Sequence, residues 1–504
     1  MAEIPLHRPI GPALLLALLI AAPGCERPNP AYIGELAGGG GGNGDGGDCS
    51  GDGGDGGDGA GADTGVQDDV AAPPIDADLS GAPAARFALT LPVRVTEGVP
   101  FKLRLTALDE SNRPTPSFKG AVELFSDRGD IRPGRIPVNG MPGGSISVDV
   151  ALNREGATTI TVAAEGDSNL RGQGAPVQVE HPTWRRLNEG RPVLDRGFAD
   201  EWDDRDVQHP AVLRVPDDSA GPYAGSLLMF YRGRNTTMVE RGIGLAVSSD
   251  GVVWRRHELN PVMPSERLED DRFIDFSEPE ARLIQGGYRM WATATTPGDT
   301  YIIHAESADA VTWVRNEPNP VIWATPGENN WEELWVWAPA IAWSATGGYE
   351  AWYGSYTTDG LYGIGRATSL NGTEWTKHAT NPVLPPSDNG WDHVTVDKPA
   401  VLKDGSVYRM WYTGDAEFQD NRDDPWSIGY ATSIDGVNWE KCACNPILSP
   451  SGVSETFDLV RVANPSVVRA PDPDDPTKDT LLLYYDAFDG RRWRIGVAAP
   501  TTPN

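Results

Sequence analysis

The stretch Ile428-Gly429-Tyr430-Ala431-Thr432-Ser433-Ile434-Asp435-Gly436-Val437-Asn438-Trp439, completed by Asn445-Pro446-Ile447-Leu448, decides how most of this chain folds. A short strand runs into Asp435-Gly436, a strong two-residue hairpin signal, and the strand after it ends on Trp439. The phrase returns three times: Gly242 to Trp254 with Asn260-Pro261-Val262, Ile302 to Trp313 with Asn319-Pro320-Val321, and Gly363 to Trp375 with Asn381-Pro382-Val383-Leu384. Trp184 with Arg191-Pro192-Val193-Leu194 is a fainter first copy. The Trp spacings of 70, 59, 62 and 64 residues suit four-stranded units better than helical repeats of about 34 to 47 residues. Each unit adds a strand entering on Pro (HPAVL, EPEARL, APAIAW, KPAVL, NPSVV) and an aromatic strand (LLMFYRG, YRMWATA, YEAWYGS, YRMWYTG, LLLYYDA). The Trp184 strand precedes the first Pro strand, and the last unit stops at Ile495 to Ala498 without a Trp strand. An N-terminal strand should therefore close the last sheet and remove its open edge. The expected fold is all-β, with a five-bladed β-propeller over residues 182–500.

Upstream, residues 86–181 alternate with period two (Phe101, Leu103, Leu105, Ala107; Ile146, Val148, Val150; Ile160, Val162, Ala164) between turn residues. That pattern predicts a small immunoglobulin-like β-sandwich without an inter-sheet disulfide, acting as an accessory domain. Residues 25–85 include Gly38 to Gly65, with 16 Gly and 6 Asp in 28 positions, and are expected to be a disordered, self-repelling linker. Residues 1–24 hold Arg8 and an apolar run from Pro12 to Pro23, too short to span a bilayer, followed by Gly24-Cys25. This resembles a bacterial lipoprotein signal, which implies lipidation of Cys25, a lipid anchor and an exported protein of the cell envelope, outer membrane or surface. Plain secretion is the alternative.

The chain's 504 residues exceed one hydrophobic core. With 72 acidic and 42 basic side chains, its net charge of −30 argues against nucleic acid as a partner. Four Cys form no zinc-type C-x-x-C pair. Cys442 and Cys444 flank one residue and are read either as a local disulfide or as two buried thiols.

The centre of the repeats is where chemistry is expected. Counting back from Pro210, Pro279, Pro339, Pro399 and Pro465, the third residue is apolar each time: Val207, Phe276, Val336, Val396 and Val462. Alternation then turns the second and fourth residues inward: Gln208 and Asp206, Ser277 and Asp275, Trp337 and Trp335, Asp397 and Thr395, Ala463 and Arg461. The residues directly before Pro (His209, Glu278, Ala338, Lys398, Asn464) break this alternation and are expected at the rim. Carboxylates from different units beside indole rings suit glycosidic-bond cleavage, one acid protonating the leaving oxygen and the other activating water or attacking the anomeric carbon.

Residues 184 to 500, with W-D-x-x-x-V-x-x-P-x-V, MWYTG, IGYATS-x-DG-x-x-W and NP-[VI]-L, resemble the five-bladed propeller glycosidases: arabinanases and β-xylosidases, invertases and levansucrases, and mannoside phosphorylases. The resemblance implies Glu278 as general acid, Asp206 as base or nucleophile and Asp397 as a neighbouring modulator or alternative base. Where arabinanases carry an Asp before the first Pro, this chain has Gln208-His209-Pro210. HPAVL, LLMFYRGRN and RGIGLAVSSDG are similar to the opening of the mannoside phosphorylase branch, which implies Arg232 as a sugar or phosphate contact. Gln208, His209, Arg232, Asp275, Trp335, Trp337, Lys398, Arg461 and Asn464 complete the expected substrate-binding set. No cofactor and no metal are expected, and a central cation, if the chain follows some arabinanase relatives, would sit at His209. The function expected is a surface-tethered, monomeric glycoside hydrolase acting on a poly- or oligosaccharide, with phosphorolysis as a lesser option. The competing reading is a carbohydrate-binding or cell-surface interaction protein that has lost the chemistry.

Overall fold

The structure, a computed structural model, describes residues 79–501 except 130, 239, 268–272, 285–286, 316, 326, 328–330, 345–346, 358–359, 361, 406 and 418–424. The signal segment, Cys25, Cys49 and the Gly/Asp-rich stretch lie outside the described residues. Among the described residues the chain is all-β, with two short 3-10 turns at Pro142–Gly144 and Asn188–Gly190 and no α-helix.

The N-terminal part forms two four-stranded sheets and one three-stranded sheet. Phe101–Leu108 pairs with Arg86–Thr90 and Ser145–Leu152, while Gly120–Ser126 pairs with Ile160–Ala164 and Arg135–Val138. Leu103, Leu105, Val122, Val150, Ile160 and Val162 are wholly buried between them, as the alternation requires. A loop of this part reaches the repeats: Gly98 has φ +71, a Cβ on it would stand 2.5 Å from the Tyr430 ring, and its carbonyl accepts the Tyr430 hydroxyl at 2.6 Å.

The repeats make five antiparallel sheets. Their inner strands are Asp206–Arg214, Phe273–Ile284, Val336–Trp343, Thr395–Asp404 and Arg461–Pro471. The second strands are Leu227–Arg234, Gly287–Thr295, Tyr349–Tyr356, Val407–Asp415 and Asp479–Phe488. Each inner strand contacts the inner strand of the next sheet, and the fifth contacts the first, so the sheets close in a ring. Trp184–Arg186 pairs with Trp493–Pro500 as the outermost strand of the fifth sheet, the closure read from the repeat count.

Indole wedges hold this ring. The repeat Trp of each sheet stands edge-on to the aromatic residue at one register position in the second strand of the preceding sheet. The pairs are Trp254 on Tyr484, Trp313 on Phe230, Trp375 on Trp291, Trp439 on Trp352 and Trp184 on Trp411, with ring centroids 5.5–6.4 Å apart and planes at 83–88°. These Trp are half-buried rather than fully enclosed, because each lies in the seam between two sheets. Four donate their Nε1–H to the carbonyl three residues earlier.

A second repeated device ties the entry loops of the first, third and fourth sheets to their strands. Asp203 accepts from Tyr231 Oη (3.0 Å) and Arg256 Nε (2.8 Å), Glu332 from Tyr353 (3.0 Å) and Lys377 (2.7 Å), and Asp392 from Tyr412 (2.9 Å) and Lys441 (2.7 Å). The Trp-Asp pairs at 202–203 and 391–392 are therefore architectural. Asp392→Asn, which leaves Lys441 without its counter-charge, is expected to cost about 1.5–3 kcal/mol in urea unfolding followed by Trp fluorescence.

Candidate active site

Each inner strand is broken at its Pro. Proline brings no N–H to the ladder, and the residue before it takes a left-handed backbone: φ is 54° at His209, 47° at Glu278, 48° at Ala338, 52° at Lys398 and 49° at Asn464. Pairing with the second strand slips there in every sheet, between Gln208 and Ala211 in the first and at the matching places in the others. The bulge turns these five side chains onto the axis. With their prolines, Glu280, Ala400 and Ser466, they enclose a cavity of about 40 Å³, room for a few water molecules or one substituent of a sugar but not for a ring. The residue before Pro, expected at the rim, thus forms the cavity wall. The second and fourth residues back lie outside that wall, since strict alternation ends at the bulge. Val207, Phe276, Val336, Val396 and Val462 are buried, as read.

A bulged backbone N–H points away from the ladder and needs an acceptor. Thr293 Oγ1 accepts from Ala338 N (2.9 Å), Thr413 Oγ1 from Asn464 N (2.9 Å) and Asp486 Oδ1 from His209 N (2.7 Å). All three acceptors occupy the same register position of the preceding sheet's second strand. The first sheet has Arg232 at that position, and the Glu278 amide donates to His209 Nδ1 instead (3.3 Å). The third sheet has Gly354, and there the Asp397 carboxylate moves in. It accepts from Lys398 N (2.6 Å) and from Trp337 Nε1 (2.8 and 2.9 Å).

Glu278 Oε2 accepts from Thr293 Oγ1 (2.8 Å), and Oε1 lies 3.7 Å from Lys398 Nζ. Burial pushes the Asp397 carboxyl up to about 6, against the pull of Lys398 and with Glu278 adding to the rise. Burial, then the charges of Lys398, Arg232 and Arg234, holds His209 well below its ordinary range, so its ring is neutral. Asp206 is buried beside Arg234 (2.9 Å) and Arg205 (3.1 Å) and does not line the cavity. Gln208 accepts from the same Arg234 at 2.9 Å. Arg232 pairs with Asp275, which the Arg232 and Arg241 guanidiniums hold below the usual carboxylate range despite its burial. No trio of metal-ligand side chains includes His209 among the described residues. Glu97 does lie near both Cys442 and Cys444, but those sulfurs are bonded to each other.

Two aromatic groups lie near the cavity, one against Asp397 and one against Lys398. Trp335 and Trp337 pack on Tyr356 (5.7 and 5.6 Å), which stacks on Tyr362 (4.9 Å). In the second group, Arg461 lies 4.3 Å above the Trp426 ring, Lys398 Nζ stands 5.7 Å from it, and Trp426 meets Trp493 at 6.0 Å. Thr293, Thr413, Asp486, Arg234, Trp426 and Trp493 escaped the sequence reading. Stacking the five aromatic strands would have exposed the first three, because their sixth letter reads Arg232, Thr293, Gly354, Thr413, Asp486 while the third to fifth letters stay apolar or aromatic.

No family model matches the chain. Two uncharacterized proteins of Mycobacterium tuberculosis, from strains CDC 1551 and H37Rv, are each 35% identical over 94 residues, 18% of this chain. The match spans 31% of the length of these curated relatives. Among solved structures the chain is similar to a glycoside hydrolase (18% identity, 62% of this chain and 91% of that one, TM-score 0.47). It is similar to a thermostable family-43 glycoside hydrolase (18%, 59% and 93%, TM-score 0.43). A third is described with the family-130 mannoside phosphorylases, which contain glycoside hydrolases that target β-1,2-mannosidic linkages in Candida mannan (16%, 64% and 95%, TM-score 0.45).

A Cβ at Gly354 would stand 2.1 Å from Asp397 Oδ1 and 2.8 Å from Trp337 Nε1. Gly354→Ala is therefore expected to lower stability by about 1–3 kcal/mol in chemical denaturation and to change Trp fluorescence in the folded state.

Proposed function

We propose that the five sheets are the blades of a five-bladed β-propeller over residues 182–500, and that its axis is the catalytic centre of a glycoside hydrolase. The sandwich of residues 86–181 is read as an immunoglobulin-like accessory domain, with a linker over 25–85 and a signal over 1–24 that leaves Cys25 lipidated and the protein tethered at the cell surface. One observation carries the enzymatic reading: Glu278, held by Thr293, lines the cavity facing Lys398, and the buried carboxyl of Asp397 lies behind that Lys398 with Trp337 against it and Trp426 near the Lys398 ammonium. Glu278 would protonate the leaving oxygen. Asp206 would serve as base or nucleophile, and Asp397 as the charged neighbour or the base itself. Because the cavity is too small for a ring, the sugar would lie above it on the Trp and Tyr faces and project one substituent inward. Asp206 supports the competing reading of a carbohydrate-binding protein, since its carboxylate is already engaged by Arg234, Arg205 and the Trp493 amide.

Sugar release by the full chain from arabinan, xylan, fructan and mannan, with and without phosphate, decides between them. Glu278→Gln is expected to retain the fold and lose about 10²–10⁴-fold in turnover, and undiminished turnover would remove the assignment. Phosphate dependence would select phosphorolysis, and glycan affinity without release would select binding. Asp397 ionises as pH rises through about 6, so the rate is expected to fall below that pH in the native chain and to lose this acid limb in Asp397→Asn.

A further inference from the structure

The Asp486 carboxyl is fully buried beneath the cavity. Several other buried carboxylates of these sheets touch a cation, Asp206 with Arg234, Asp275 with Arg232, Asp203 with Arg256 and Asp392 with Lys441, whereas Asp397, like Asp486, accepts from neutral donors. Among the described residues the nearest basic atom to Asp486 is His209 Nε2, at 3.9 Å, on a ring already neutral. Two neutral donors, the His209 amide and the Asn464 side-chain amide, reach its oxygens. Two neutral N–H groups do not offset the desolvation of an isolated carboxylate.

Asn464 supplies a second observation. Its side chain lines the cavity, its amide faces Asp486, and its Oδ1 is buried without a hydrogen-bond donor. Which end of an amide faces a neighbour is set by that neighbour's proton. A carboxylate accepts from the NH2 end, whereas a carboxylic acid donates to the oxygen end and thereby satisfies the orphaned Oδ1.

We propose that Asp486 is a positioning residue that carries a proton in the working site and, through that proton, sets the orientation of the Asn464 amide beside the cavity. With the proton in place, Asp486 donates to Asn464 Oδ1 and still accepts the His209 N–H; once ionised, it accepts from the Asn464 NH2 instead. The charged groups facing Asp486 across the axis are Lys398, which opposes retention of the proton, and Glu278, which favours it. Burial dominates and pushes the group up to about 8, so the change falls on the alkaline side of neutrality.

What the cavity does with the amide rests on the glycosidase reading, but the proton on Asp486 does not. The test therefore reads the proton, in full-length protein carrying 15N-labelled histidine, with His209 assigned by comparison with His209→Gln. His209 stays neutral throughout, yet its ring nitrogens are expected to inflect near pH 8 as Asp486 ionises beside them. Asp486→Asn is expected to erase the inflection. Asn464→Ala, which removes an amide bonded to both forms but more strongly to the charged one, is expected to move it to higher pH and serves if Asp486→Asn does not fold. No inflection between pH 7 and 9 in the native chain, an inflection that survives Asp486→Asn, or an unmoved midpoint in Asn464→Ala would overturn the proposal. A silent glycan panel would leave this titration intact, and a failed titration would leave sugar release intact, so the two readings fail separately.

Discussion

Five backbone N–H groups at the axis constrain much of the rest of the site. Each inner strand must pass a Pro, and the residue before it adopts a left-handed conformation that non-glycine residues accept at a cost of order 1–3 kcal/mol. Paid five times over, this persists only because surrounding sheets fix it. The bulge releases an amide from the ladder, and the neighbouring sheet must supply an acceptor. Thr293, Thr413 and Asp486 do so from one register position, His209 and Asp397 by other routes. The same bulge turns His209, Glu278, Lys398 and Asn464 into one cavity. Closing the backbone accounts and assembling a polar centre are thus one event.

That coupling explains the uneven electrostatics of the centre. Where the acceptor position holds Thr, a hydroxyl satisfies the amide without adding charge. Where it holds Gly354, a carboxylate from the next sheet fills the vacancy and takes the Trp337 indole N–H with it. Where it holds Asp486, a buried carboxyl is fixed to the His209 backbone with no cation against it. Arg232 and Arg234 crowd one side of the axis, and burial together with the neighbouring Arg232 pushes Arg234 down to about 10. The repeated architecture therefore presents a different chemistry on each of its five sides.

The rigidity needed to hold this centre comes from outside it. The five edge-on indole contacts fix the angle between sheets, and the Tyr–acid–base sets tie down the entry loops of the first, third and fourth sheets. Both devices use side chains that recur in the repeat, so they leave the axial positions free to differ.

The repeats made the sheets legible before any coordinates. Asp-Gly turns, Trp spacing and the missing final Trp strand predicted strand order and closure, because hydrophobic period and turn chemistry are local properties of the chain. The alternation of Phe101 to Ala107 did the same for the N-terminal part. The axis was legible only as far as its Pro positions. Alternation placed Gln208 and Asp206 inward, but the bulge moved that role to His209, and no local signal announces a left-handed residue before Pro. Asp486 and Asn464 are 22 residues apart, and Asp486 and His209 lie 277 apart. Whether such groups meet depends on sheets closing into a ring. The sequence by itself determined which residues alternate, turn and repeat; only the tertiary structure decided which of them share an axis, and so which carboxyl has a cation beside it and which must keep its proton.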